Sequence, residues 1–151
     1  AGQSAAYSLP EQSKVGGLMA EIVETAINEF RNVIATVPGL KRVYTDPPES
    51  ISEFPCAVVY LKSGEMTENA PCFHDFVADI YHARQVLPQA VNEAKVWPDR
   101  VLYALKANFR LNGSIEHIVY PIRYESAALQ YNDMTHYGIR FKVQIKIVDV
   151  A

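Results

Sequence analysis

The residues with the most chemistry in them stand close together: Cys72, His74 and Asp75. A thiol, an imidazole and a carboxylate within four positions are parts of an activated nucleophile or of a metal site. On an extended chain, residues two apart share a face, so Cys72 and His74 point the same way. The base and orienting group of a nucleophile would still have to come from elsewhere in the fold. The other histidines, His82, His117 and His136, have no cysteine at a ligand spacing, and HExxH is absent. Asp75 and Asp79 also share a strand face and could pair as hydrolase carboxylates. The plainer reading is a solvated or intersubunit surface. Gly16-Gly17 precedes a helix without the lysine and serine of a phosphate loop. The residues therefore lead to no enzyme, no metal and no cofactor, and Cys72, His74 and Asp75 are the one cluster worth testing for catalysis.

The clearest structural signal lies at the other end of the chain. Tyr137, Ile139, Phe141, Val143, Ile145 and Ile147 alternate with Gly138, Arg140, Lys142, Gln144 and Lys146. A period of two over this length predicts a long strand with one apolar and one polar face. Arg140, Lys142 and Lys146 form a cationic stripe on the polar face. It reads as a solvated face or as an electrostatic match to an acidic protein surface. Aromatic residues that would stack bases fall mostly on the opposite face, which argues against direct nucleic-acid binding.

The elements that position these residues follow in order. Residues 1–13 read as an extended arm in which Tyr7 and Leu9 would be the adhesive positions, and residues 14–151 as one domain. Val15, Leu18, Met19, Ile22, Val23, Ala26, Ile27, Phe30 and Ile34 predict a helix, with Ser13 as its cap and Pro38-Gly39 as its stop. Leu40–Tyr44 reads as a short strand or extended run, and Asp46–Glu49 as a turn. Cys56–Leu61 predicts an interior strand, Lys62–Pro71 a long polar loop, and Phe73–Ala83 a further strand. Ala90, Val91, Ala94, Trp97, Val101, Leu102, Leu105 and Phe109 predict a second helical region, interrupted near Pro98. Asn112-Gly113 is a turn. Ile115–Tyr124 reads as a strand whose Pro121 marks an edge or a bulge, and Glu125–His136 as a second long loop.

This order predicts an α+β domain: a mainly antiparallel four-stranded sheet with two main helices on one face, the second kinked or broken near Pro98. The chain has 151 residues, 49% of them apolar, enough for one core. The net charge of -3 shows no basic excess of the kind nucleic-acid binding needs. No apolar run approaches a bilayer span, so no membrane role is expected. The start has no cationic region followed by an apolar core, as a signal peptide would. Cys56 and Cys72 make no disulfide framework and read as reduced thiols of a cytosolic protein.

The element order together with Tyr137-Gly138-Ile139-Arg140-Phe141-Lys142-Val143 resembles the tailed-bacteriophage tail terminator or tail-completion proteins, over roughly residues 15–149. The resemblance implies a small α+β structural protein that assembles as a ring, commonly a hexamer. Such a ring caps the tail tube, stops its growth and offers a surface to the neck or head connector. It would be assembled in the host cytoplasm and reside in the virion at the head–tail junction, with no catalytic site. Glu65 and Glu68 in the first loop and Tyr131 and Asp133 in the second become candidate contacts with tube and neck. Arg140, Lys142 and Lys146 become candidates for intersubunit or lumen-facing contacts, and Asp79 for the subunit interface. Another head–tail connector or head-completion role, or a small enzyme using Cys72, His74 and Asp75, are the alternatives.

Overall fold

The computed structural model describes residues 21–45, 48, 51, 53–83, 87–131 and 134–148. The predicted arm at 1–13, the cap at Ser13, the first apolar positions Val15, Leu18 and Met19, and Asp133 lie outside the described residues. Of the predicted Asp46–Glu49 turn only Pro48 is described.

Helix α1 spans Ile22–Ile34 and buries Ala26, Phe30, Val33 and Ile34, the spacing of a single helical face. It is followed by a turn through Pro38 and Gly39. Gly39 has φ +97°, a conformation that a β-carbon disfavours. Arg100 donates from Nη1 to the Pro38 carbonyl at 3.0 Å and lies over the Trp97 ring, which ties this turn to the second helical region. That region is two helices, α2 at Leu87–Ala94 and α3 at Trp97–Ala107. Pro98 falls in the first turn of α3, where its missing N–H leaves no hydrogen bond unmade. Trp97 is buried and donates Nε1–H to Nε2 of buried His82 at 2.7 Å. Asn112 anchors the turn after α3 by donating to Glu29 of α1 at 2.7 Å.

The strands are β1 (Arg42–Tyr44), β2 (Cys56–Glu65), β3 (Cys72–Tyr81), β4 (His117–Tyr131) and β5 (Met134–Ile147). They form one sheet in the order β1-β2-β3-β5-β4. This corrects the predicted four-stranded antiparallel sheet: among the described residues there are five strands, and β1 pairs with β2 in parallel. β1 falls within Leu40–Tyr44, read from the sequence as a short strand or extended run, but three residues are too few for a period of two to show that it joins the sheet. The remaining pairs are antiparallel.

Both predicted loops also give way to strand. β2 runs on to Glu65 through a register shift between Leu61 and Ser63, which leaves residues 66–71 as the loop. The predicted second loop, from Glu125 to His136, is the end of a hairpin in which Glu125 faces Arg140 and Gln130 faces Thr135. Tyr124, Glu125, Ser126, Ala128 and Gln130 are exposed, so this arm needs no apolar alternation. Its ladder with β5 holds it in place, and the sequence pattern reports burial rather than pairing.

The main core lies between one sheet face and the helices. It joins Phe30, Ile34, Trp97, Val101 and Leu105 to Ala57, Val59, Phe76, Ala78, Ile80 and the odd-numbered residues of β5 from Ile139 to Ile147. The opposite face has its own small cluster of Cys56, Val58, Tyr81 and Leu129. Here β3 and β5 approach closely at Gly138, which sits opposite Tyr81. A β-carbon on Gly138 would collide with the Ile80 carbonyl and come within 2.8 Å of Leu129 Cδ1. Gly138→Ala is therefore expected to destabilise the fold by about 2 kcal/mol, a typical overpacking cost. Urea unfolding should show a lower midpoint at unchanged slope; an unmoved midpoint would mean that the strands part without cost.

Candidate functional site

Arg140, Lys142, Gln144 and Lys146 do share a face, the one that no helix covers among the described residues. Antiparallel pairing sets Asp79 opposite Arg140, Val77 opposite Lys142 and Asp75 opposite Gln144 on that same face. From the outer strand, Glu125 and Arg123 stand opposite Arg140 and Lys142.

The centre of this face is an ion pair. Arg140 donates from Nε to Asp79 Oδ1 at 2.8 Å and from Nη2 to Oδ2 at 3.0 Å, a bidentate geometry. Tyr60 adds a third donor, its hydroxyl 3.1 Å from Oδ2. Asp79 is only 2% exposed while about a third of Arg140 reaches solvent. The hydrogen bond to Asp79 holds the Arg140 pKa above its ordinary value. Burial, then the charge of Asp79, raises the Tyr60 phenol, and the same causes push Tyr81 up to about 12. Burial, with a contribution from Glu53, pushes the Cys56 thiol up to about 12.

Beside the ion pair, Phe54 stacks on His136 with ring centroids 5.1 Å apart, and Tyr81 meets the same imidazole edge-on. His136 donates Nδ1–H to the His82 carbonyl at 3.1 Å. Toward the other end, Lys142 pairs with Glu125 at 3.2 Å and Ser63 donates to Asp75 at 2.9 Å. There Lys62, Asp75, Tyr120, Arg123 and Lys142 surround a shallow cleft of about 310 Å³ with Val77 in its wall.

The predicted site residues divide accordingly. Asp79 and Arg140 are engaged with each other. Lys142 and Lys146 lie half-buried on the open face. Glu65 and Glu68 are exposed at the β2–β3 tip. Tyr131 closes β4. Cys72, His74 and Asp75 do not converge. His74 is buried and opposes Ile145 on the helix side, whereas Asp75 opposes Gln144 on the open side. Cys56 and Cys72 are both free thiols. Among the described residues no group of three or more His, Cys, Asp or Glu side chains is placed to hold a metal ion.

Lys62, Tyr120 and Arg123 were not singled out by sequence. The register shifts next to Lys62 and between Val119 and Arg123 break the period of two that would have revealed their face. Neither a protein-family model nor a curated protein matches this chain.

Two outcomes follow from the ion pair and its surroundings. Arg140→Ala leaves the Asp79 carboxylate buried without its cation and should cost about 3 kcal/mol in urea unfolding, while replacing both residues by Leu should recover most of the loss. A single-variant cost below about 1 kcal/mol would mean that water solvates Asp79. The second outcome is alkaline. Tyr81 and Cys56 have folded pKa values near 12, above ordinary values of 10.0 and 9.0. The fold holds these protons more tightly than the unfolded chain, so the stabilisation is whole below about pH 9 and is lost as pH rises toward about 12. Tyr81→Phe removes one of these titrations. Between about pH 9 and 11 its unfolding free energy should fall less steeply than the parent's, and an identical slope would exclude Tyr81 as a contributor.

Proposed function

We propose that this chain is a structural protein of a tailed-phage virion, a tail terminator that closes into a ring, with six copies as the expected number. In this reading the ring caps the tail tube, ends its growth and presents a surface to the neck or head connector. It acts at the head–tail junction after assembly in the host cytoplasm. No chemistry is asked of Cys72, His74 or Asp75, and no cofactor is needed.

The observation that carries the reading is the outer strand. β4 is 15 residues long, and at the end of the sheet it has β5 on one side and no strand on the other among the described residues. Tyr120 and Tyr124 on this strand are about half exposed. A long open edge with aromatic side chains is a hazard in a lone subunit, because its free N–H and C=O groups invite pairing. Closed assembly of identical subunits removes such an edge from solvent. The family resemblance of the terminal strand supplies the more specific identity.

The test is the mass of the protein by light scattering after gel filtration, followed by mixing with tail tubes and electron microscopy. A discrete species near six chains, or added density at tube ends, is expected. A monomer that also fails to decorate tube ends would overturn the proposal. A ring that ignores tubes would shift it to another head–tail connector.

A further inference from the structure

The cleft on the open sheet face is cationic and the tip beside it is acidic. Lys62 from β2, Lys142 from β5 and Arg123 from β4 converge on the cleft against the single carboxylate of Asp75. That carboxylate already accepts from Ser63, and Lys142 has Glu125 as a neighbour at 3.2 Å. Lys62 and Arg123 are exposed and make no ion pair among the described residues. The cleft therefore holds an uncompensated positive charge. The ring of Tyr120, about half exposed, gives it apolar surface as well.

The β2–β3 tip has the complementary character. Glu65, Met66, Thr67 and Glu68 are all exposed, and Met66 is 80% exposed, which makes it a large apolar side chain left in water. Neither glutamate makes an ion pair among the described residues. The Thr67 hydroxyl reaches the carbonyls of Asn69 and Pro71, which gives the tip a defined shape. A rigid acidic knob with one apolar side chain matches a cationic cleft with an apolar wall in both charge and polarity.

We propose that the β2–β3 tip of one copy docks into the open-face cleft of a second copy, with Glu65 and Glu68 meeting Lys62, Arg123 and Lys142 and Met66 covering the ring of Tyr120. This rests on the reading above that the chain self-associates, and it names the contact. Knob and cleft are different surfaces of the same chain, so the contact is head-to-tail and leaves each copy with one free knob and one free cleft. Repetition of such a contact closes into a ring when the rotation per step allows it. Lys62 stands only three residues from Glu65, about 10 Å along a strand. A ring built this way gathers the tips of successive subunits next to one another.

The experiment uses the full chain and two variants, one with the cleft reversed (K62E with R123E) and one with the tip reversed (E65K with E68K). All changes are at exposed positions, and circular dichroism checks the fold of each. Light scattering over a range of concentration and salt is the readout. Each variant alone should associate about a hundredfold more weakly than the parent, because like charges then face each other. An equimolar mixture of the two should recover assembly, since each tip then finds an oppositely charged cleft. Parent association should also weaken with salt. Folded variants that assemble like the parent, or a mixture that stays apart, would overturn the contact while leaving the ring reading in place. A parent that remains monomeric at the highest concentration and lowest salt overturns the contact too, and the ring reading then depends on tube binding.

Discussion

The register of β3 against β5 is the constraint from which the rest of the molecule follows. In that one alignment Ile80 meets Ile139, Ala78 meets Phe141 and Phe76 meets Val143 beneath the helices. The same alignment sets Asp79 against Arg140 on the far side. A slip of one residue would send the aliphatic set to water and the charged pair into the core, so the apolar and ionic preferences of the two strands enforce a single answer. The ion pair is costly to bury and costly to break.

The two faces of the sheet are finished differently. On one, α1, α2 and α3 close a continuous apolar core, and two polar contacts fix how they sit. Trp97 reaches His82 at the end of β3, and Arg100 reaches the turn that ends α1. On the other face no helix arrives among the described residues, and a patchwork does the covering: an aromatic group around His136, the Asp79–Arg140–Tyr60 network, and then an open cleft. Along this face the covering passes from packed to solvated, and its polar end stays open among the described residues.

Much of this was legible in the sequence and some of it was not. The alternation from Tyr137 to Ile147 defined β5 and its two faces, the three-and-four spacing defined α1, and Pro98 marked the break before α3. These signals are local, because burial on one side of an element imposes its own period on side-chain polarity. The parallel strand β1 and the last third of β4 carried no such period. The first is too short, and in the second only Leu129 is buried among the described side chains, so its strand state comes from backbone pairing to a partner that the local sequence does not name.

The site divides in the same way. The sequence by itself determined which residues could take part: the cations of β5, the acidic tip at Glu65 and Glu68, and the dispersed cysteines and histidines. Only the tertiary structure decided how they combine. It separated His74 from Asp75 across the sheet, joined Asp79 to Arg140, and brought Lys62 and Arg123 to the same cleft as Lys142. The physical reason is that side-chain chemistry belongs to single residues, whereas a site is a set of distances fixed by strand register and by bulges. Those depend on pairing between segments that lie far apart in the chain.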